Sequence, residues 1–484
     1  SPLHNKRTDE YGGSVRNRIR FFEEVIESVV TAVDGELAIG ARFTVNEMVE
    51  GGLTEAEDAL DILEMIHGKV DFWDLDIGGR QALHESIAPS SHREENYQVE
   101  YIERVSDVID APIGVTGRIK DPDAAAAIIR EGHVDLIGMA RQSIADPHWP
   151  AKVKHGNPGV IRECVGGNDC IAALFVGGKI ICTQNPTVQH EDLWTPDDIE
   201  PVDSPDEIVI VGGGPAGLEC ARVAGERGHQ VQLYEQGKEL GGRVNLLAEL
   251  PQFDEWAQIR EWREAQVRTL ETVTTTTERE LTVDDAIESG ADSVVVATGA
   301  SYDFTGVSAL SPFQIPGWDQ RHVLTPKEAF ARELKGKTVL VYDCEGSRIG
   351  AGLTEQLVND DNEVTYVTPP GDPHGGLMAT QEQTPLLGRI GDEVEYHTSH
   401  LFEEILGDQV VLTDQRSGEE IEVGVDYTIL LTRRVPNDDL YTGIKNRIRT
   451  DDELEVSVHA IGDCSSPRPM AEAIFDGHQL GRKL

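Results

Sequence analysis

Ile19, Phe22, Ile26, Val29 and Val33 recur at helical spacing, and the run Leu37 to Phe43 that follows is apolar over strand length. That pattern predicts a helix and then a strand. Ala56, Ala59, Leu60, Leu63 and Ile66 form a second stripe before Val70 to Ile77, and residues 97–109 precede Ile113 to Thr116. A further helix, opened by the cap and first-turn pair Asp121-Pro122, leads to Val134 to Gly138. Helix and strand alternate with strand-length apolar runs, which predicts a parallel α/β sheet of four strands.

The acidic, proline-bearing stretch Glu191 to Asp206 has almost no apolar period and reads as a linker. Beyond it, Ile208 to Val211 runs into Gly212-Gly213-Gly214-Pro215-Ala216-Gly217, and the next strand, Val231 to Tyr234, ends in Glu235. Ser293 to Val296 and then Ala297-Thr298-Gly299 extend this region, Ile461-Gly462-Asp463 closes it, and a second strand of the same kind begins at Val339 to Val341.

At 484 residues the chain is long enough for several modules. Its net charge of −45, from 87 acidic and 42 basic residues, repels nucleic acid and anionic membrane, so neither is an expected partner. With 39% hydrophobic residues in periodic segments the acid excess is not a sign of disorder. Arginine outnumbers lysine and acid dominates, as in halophilic proteins, where high salt screens self-repulsion. No apolar run of membrane-spanning length and no signal-like start is found, so a cytoplasmic location is expected.

Gly212, Gly214 and Gly217 stand between a strand and a helix, with Glu235 at the spacing of a ribose-binding acid. In such a turn the first glycine allows the bend, the second lets backbone approach a pyrophosphate, and the third allows close helix packing. In the second unit Tyr342, Cys344 and Ser347 fall where glycines would stand, so their side chains are expected to take the space of a pyrophosphate. A shifted register using Gly346 and Gly350 is the alternative. Cys164, Cys170 and Cys182 are close enough in sequence to converge on one iron cluster, but Gly167 occupies the middle position of the CxxCxxC spacing. A labile three-cysteine cluster is expected, with Asp169 or water at the fourth iron; three buried thiols without metal are the other reading.

The opening Ser1-Pro2-Leu3-His4-Asn5-Lys6-Arg7-Thr8-Asp9-Glu10-Tyr11-Gly12-Gly13-Ser14, then Arg16-Asn17-Arg18, resembles the old yellow enzyme superfamily in the loop after its fourth barrel strand. From there to Leu484, with Ile181-Cys182-Thr183-Gln184-Asn185-Pro186, the chain is similar to trimethylamine and dimethylamine dehydrogenases and more distantly to 2,4-dienoyl-CoA reductase. The resemblance implies an α/β chain made of the C-terminal half of a (β/α)8 FMN barrel (TIM barrel), a cysteine cluster segment and two Rossmann-like dinucleotide-binding domains. The expected boundaries are 1–155 for the half barrel, 156–190 for the iron-sulfur segment, 191–206 for the linker, 207–325 with 450–484 for the FAD or ADP domain, and 326–449 for a degenerate NAD(P)-like domain. Such a half barrel is expected to bind FMN poorly by itself.

Carried over, Arg42 faces the flavin N1 and O2 edge, where a cation stabilises reduced flavin. Gly117, Arg118, Ala140 and Arg141 match the phosphate-gripping ends of the last two strands. Arg243, Gly462 and Asp463 join the glycine turn around FAD or ADP. Where trimethylamine dehydrogenase has a tryptophan and an aspartate this chain has Leu83 and Ser86, and Leu174 replaces a further tryptophan, which argues against trimethylamine itself. Glu85 or His84 is the expected replacement for the lost carboxylate. The resemblance thus implies an FMN-dependent, metal-binding flavoprotein that oxidises a small methylated amine and passes electrons through a 4Fe-4S-type centre to an electron-transfer flavoprotein, as a homodimer. The alternatives are an NAD(P)H-dependent enoate or 2,4-dienoyl-CoA reductase-like NADH:flavin oxidoreductase, and a non-catalytic fragment or paralogue.

Overall fold

A computed structural model describes residues 1–86, 90–194, 199–451 and 453–484. The chain divides into two compact units, Ser1–Asn168 and Asp169–Leu484. Among the described residues no helix is long and apolar enough to cross a membrane.

In the first unit Gly40–Asn46 (β1), Phe72–Ile77 (β2), Ile113–Val115 (β3) and Leu136–Ile137 (β4) form one parallel sheet in that order. The expected alternation is therefore present, with β1 starting later than the apolar run suggested: Leu37 is 70% exposed and Val45 is in the core. The helix Val15–Val33 is capped by the Ser14 side chain, which accepts the Asn17 N–H, and buries Ile19 and Ile26. Val29, expected on the buried stripe, is exposed. Trp73, fully buried on β2, donates its indole N–H to the His67 carbonyl at 2.9 Å, so its polar edge is satisfied inside the core. The helix Pro122–Glu131 begins as its sequence predicts, with Asp121 accepting the Ala124 N–H and proline in the first turn.

In the second unit Glu207–Val211 (β5), Gln230–Tyr234 (β6), Val273–Thr276 (β7) and Ser293–Val296 (β8) are followed by Ala300–Tyr302 (β9), Val323–Leu324 (β10), Thr338–Asp343 (β11), Glu363–Thr368 (β12) and Val394–Thr398 (β13). Then come His400–Leu406 (β14), Gln409–Asp414 (β15), Glu420–Gly424 (β16), Tyr427–Leu431 (β17), Arg434–Pro436 (β18) and Ser457–Ala460 (β19). Two parallel five-stranded sheets result, ordered β19-β8-β5-β6-β7 and β10-β17-β11-β12-β13, each centred on a strand that feeds a glycine-containing turn. The antiparallel β14-β15-β16 sheet and the β18-β9 pair were not foreseen. β10 pairs with β17, so the second domain takes strand residues from before position 326.

Part of the expected linker is packed rather than loose. Trp194 lies 5.7 Å from the Phe475 ring and 5.4 Å from the His478 ring, with the Arg482 guanidinium 5.6 Å from its centroid. Residues 195–198 of that stretch lie outside the described residues.

Candidate functional site

Strand alternation places Arg42 beside β2, whose Asp74 and Asp76 share one face. Arg42 donates to Asp74 Oδ2 at 3.0 Å and to Asp76 Oδ2 at 2.9 Å, while Thr44 Oγ1 donates to Asp76 Oδ1 at 2.7 Å. Burial raises the Asp74 carboxyl against the pull of Arg42. The guanidinium is thus fixed by two carboxylates, yet its side chain is 58% exposed. Arg42, Thr44, Glu47, Gly78, Gly79 and Phe22 are among the residues lining a cavity of about 300 Å³.

Glu85 sits in the short helix Leu83–Ser86 that follows β2. Arg93 holds its carboxylate, and His84 Nε2 lies 3.5 Å away. The Tyr97 hydroxyl donates to the Glu85 carbonyl and accepts from Gln98 Nε2 at 3.0 Å. Burial pushes the Tyr97 phenol up to about 12, which keeps it a donor. Ser90 Oγ meets His92 Nδ1 at 2.8 Å, and the His92 ring is 6.2 Å from that of His84. Arg93, Tyr97 and His92 were missed because they carry no motif; His92 and Arg93 lie in a turn, and Tyr97 stands just ahead of the helix Val99–Ser106.

Gly117-Arg118 and Ala140-Arg141 follow the adjacent strands β3 and β4, so the two loops emerge side by side. Gly117 has φ of +124° and faces Gln98, whose Cγ would lie 2.6 Å from an added Cβ, so only glycine fits. Arg141 Nη1 donates to Asn168 Oδ1 at 2.6 Å, and Gly166 packs directly on the Arg118 guanidinium. Two arginines at neighbouring strand ends are a donor set that fits the phosphate of FMN.

In the second unit the predicted nucleotide residues gather around the N-terminus of one helix, Pro215–Glu226. A Cβ on Gly212 would strike the Ala297 carbonyl, and one on Gly217 would strike the Gly212 carbonyl. At Gly214 a Cβ would meet open space, which is the approach a pyrophosphate needs. Glu235 accepts the N–H of Gly213 at 2.9 Å and of Gly237 at 2.7 Å. Asp463 accepts from Arg434 at 2.6 Å, from the Arg468 N–H at 3.0 Å, and lies 3.2 Å from Arg243. Gly462, with φ of +65°, itself packs on Ala216, where an added Cβ would lie 2.9 Å from the alanine methyl. The cradle fits an adenine dinucleotide or ADP. Gly241 and Gly242 complete it, the Gly241 N–H donating to the Gly213 carbonyl at 2.8 Å.

Behind the turn lies a charge network that sequence reasoning missed. Glu219 on the same helix accepts Arg263 Nε at 2.9 Å and Arg222 Nη2 at 2.6 Å, and meets His478 Nδ1 at 2.9 Å. Arg263 also donates to the Gln184 side-chain oxygen at 2.7 Å and to its carbonyl at 2.8 Å. The cysteine motif Ile181 to Pro186 is thereby tied to the nucleotide helix.

The unit boundary divides the cysteine segment. Cys164, whose N–H donates to Gln142 Oε1 at 2.9 Å, belongs to the first unit, whereas Cys170 and Cys182 belong to the second. Asp169, the proposed substitute ligand, accepts the Thr183 hydroxyl and lies 3.4 Å from Arg348 Nη2. Its carboxylate serves as a brace. Among the described residues no group of three or more His, Cys, Asp or Glu side chains could hold a metal ion. The donor set does not fit a four-thiolate cluster.

The second glycine turn departs from its expected geometry. Tyr342 is not turned toward a phosphate position; its ring is buried 4.6 Å from Phe402, among Leu340, Val410 and Leu412. The four-residue connection 344–347 leads into the helix Arg348–Asn359, whose third residue, Gly350, stands where Gly217 stands in its helix. The register is the shifted one. Asp343, fully buried, accepts the N–H groups of Glu345 and Gly346, both at 2.8 Å, and the Tyr366 hydroxyl at 3.0 Å. Burial pushes its carboxyl up to about 7.

The family model for NADH:flavin oxidoreductase / NADH oxidase matches residues 1–159, and that for pyridine nucleotide-disulphide oxidoreductase matches residues 206–477. Dimethylamine dehydrogenase of Hyphomicrobium sp. (strain x) is 34% identical, the alignment covering 100% of this chain and 70% of that protein. N,N-dimethylglycine/sarcosine dehydrogenase of Chromohalobacter salexigens is 31% identical over 99% of this chain and 73% of its own. The solved structure of histamine dehydrogenase from Rhizobium sp. 4-9 superposes with a TM-score of 0.95 at 32% identity, covering 100% of this chain and 71% of that one.

Proposed function

This chain belongs to the flavin-dependent oxidoreductase family of dimethylamine dehydrogenase, an NADH:flavin oxidoreductase module followed by a pyridine nucleotide-disulphide oxidoreductase module, and from that premise we propose that it oxidises the C–N bond of a small methylated amine. The observation that carries the choice of an amine over a pyridine nucleotide as reductant is the second glycine turn, which is organised around the protein's own carboxylate, Asp343.

FMN, when bound, supplies the two-electron acceptor for hydride leaving the carbon next to nitrogen; the resulting iminium takes up water and yields an aldehyde and the shortened amine. Arg118 and Arg141 would hold its phosphate, and Arg42, fixed by Asp74 and Asp76, would supply a cation that stabilises the reduced flavin. Glu85 lies within reach of His84 but shares its charge with Arg93. A carboxylate so neutralised favours the uncharged amine, the form that can release hydride. Gly214 and its neighbours would hold FAD or ADP. An electron-transfer flavoprotein accepts the electrons, a homodimer is the assembly, and high-salt cytoplasm is the setting.

The test is anaerobic mixing of the flavin-loaded protein with dimethylamine, sarcosine, histamine and NADH in turn. At least one secondary amine is expected to bleach the flavin band, and NADH is expected to leave it unchanged. Rapid bleaching by NADH with none by any amine would overturn the reading in favour of an NAD(P)H-dependent reductase.

A further inference from the structure

The two glycine turns of the second unit have the same parts and a different occupant. Each follows the central strand of a parallel sheet, and each enters a helix whose third residue must be glycine. On Gly217 a Cβ would strike the Gly212 carbonyl; on Gly350 it would strike the Asp343 carboxylate. In the first turn the space beside Gly214 is open, and one of its N–H groups, that of Gly213, is held by Glu235 at 2.9 Å. In the second, one Asp343 oxygen accepts the Glu345 and Gly346 N–H groups, each at 2.8 Å, while the other accepts the Tyr366 hydroxyl at 3.0 Å. These N–H groups belong to the set that would turn toward a bound phosphate in a turn of this kind.

The neighbouring charges are arranged in the same sense. Arg348, the first residue of the helix, is the cation best placed to meet a pyrophosphate. Its guanidinium is engaged elsewhere, 2.8 Å from Glu382 and 3.4 Å from Asp169, with its centre 4.7 Å from the Trp256 ring centroid. Glu345 adds a second carboxylate to the turn, paired with Arg434 at 3.2 Å. The His374–Gly376 loop closes on the turn, since a Cβ on Gly346 would lie 2.9 Å from the Gly376 nitrogen.

We propose that Asp343 is the residue that excludes pyridine nucleotides from the second turn, by committing its N–H groups to a carboxylate of the protein itself. An arriving pyrophosphate competes for those donors and meets a like charge in a buried, weakly screened place. The same carboxylate holds the turn together, so the unit keeps its fold without a ligand, and Arg348 is left to brace the helix of Cys170 through Asp169. This inference deepens the amine-dehydrogenase reading and rests on it: an enzyme reduced by an amine gains by refusing NADH.

Binding of NADH and NADPH by the flavin-loaded full chain would be measured by calorimetry for the parent, Asp343→Gly and Asp343→Asn, with circular dichroism melts as the check on folding. Asp343→Gly frees the N–H groups and removes the charge, and is expected to bind NADH at least about tenfold more tightly than the parent. Asp343→Asn keeps an oxygen on the N–H groups and removes only the charge, so a gain of about two- to fivefold is expected; it also serves if the glycine variant does not fold. A folded Asp343→Gly with parent-like affinity, or no gain in a folded Asp343→Asn when the glycine variant is lost, overturns the proposal. NADH reducing the flavin of the parent would overturn the amine reading instead, so the two failures are separable.

Discussion

The two dinucleotide-type regions each bury a carboxylate completely, and the two carboxylates behave oppositely. Around Glu219 burial by itself would favour the neutral acid, but Arg222 and then Arg263 outweigh it and hold the group well below the usual carboxylate range. Around Asp343 the opposing pull comes from the N–H groups of Gly346 and Glu345, and burial still pushes the carboxyl up to about 7. One region solves the burial of charge with counter-charge; the other holds its carboxyl on backbone N–H groups, and that carboxyl gains a proton only as pH falls through about 7. The first leaves its turn open beside Gly214, and the second spends its turn on itself. Shared topology therefore does not imply a shared ligand.

The contrast breaks most severely at Arg263. Arg263→Met strips Glu219 of a fully buried partner and is expected to cost about 3–5 kcal/mol in urea unfolding. In the second region Arg389→Met removes the partner of Glu355, 2.6 Å away, but that arginine side chain is 32% exposed, and a loss below about 1 kcal/mol is expected. Equal losses would refute the view that the cost follows the burial of both partners, complete for Arg263 and Glu219 and partial for Arg389.

Gly214 and Ser347 sharpen the comparison at the ligand. Gly214→Ala places a methyl in open space at an ordinary φ of −72°, so folding is expected to persist while ADP affinity falls about 10- to 100-fold in equilibrium dialysis. Ser347→Ala removes a buried hydroxyl oxygen with no hydrogen-bond partner. Its melting point should stay level or rise, by up to about 1 kcal/mol of stability, with ADP binding unchanged.

The smallest effect is a pH profile. A raised folded pKa gives Asp343 a contribution that is complete below its unfolded value of 3.8 and is lost as pH rises through about 7. Asp343→Asn lacks that loss, so its melting temperature relative to the parent should be higher at pH 8 than at pH 5. Glu219 has the opposite sign: its contribution is present above its unfolded value of 4.5 and disappears only in stronger acid. A flat difference between the Asn variant and the parent would show that Asp343 does not titrate between pH 5 and pH 8.

The first turn was legible because its parts are local: β5, Gly212, Gly214, Gly217 and Glu235 fall within one strand-turn-helix-strand stretch. The second was misread by its register. The strand runs on through Asp343, so the turn starts three positions later than the pattern suggested, and alternation along the strand sends Tyr342 into the core and Asp343 toward the helix. Arg42 was placed on its strand, and its partners were available too, since Asp74 and Asp76 at alternate positions of β2 must share a face. Glu219, Arg263 and Gln184 could not be read. They are 44 and 79 positions apart, and a charged residue at helical spacing looks like a solvated one. Trp194 was hidden for a similar reason, its neighbours Phe475 and His478 lying far along the chain.

The sheet order β19-β8-β5-β6-β7 has a consequence for synthesis. β19 reaches the edge of β8 only after roughly 160 intervening residues, which at ribosomal speeds means roughly 10–30 s. During that interval the nascent β8 edge has no neighbour, and the helix Met470–Gly481, whose Gly477 and Gly481 seat on Pro215–Glu226, has not yet covered the nucleotide helix. The inserted region, β10 to β17, can close first, because its sheet is complete within itself. The turn that holds its own anion needs no cofactor to do so, whereas the turn that awaits a nucleotide must also await the end of translation of its own sheet.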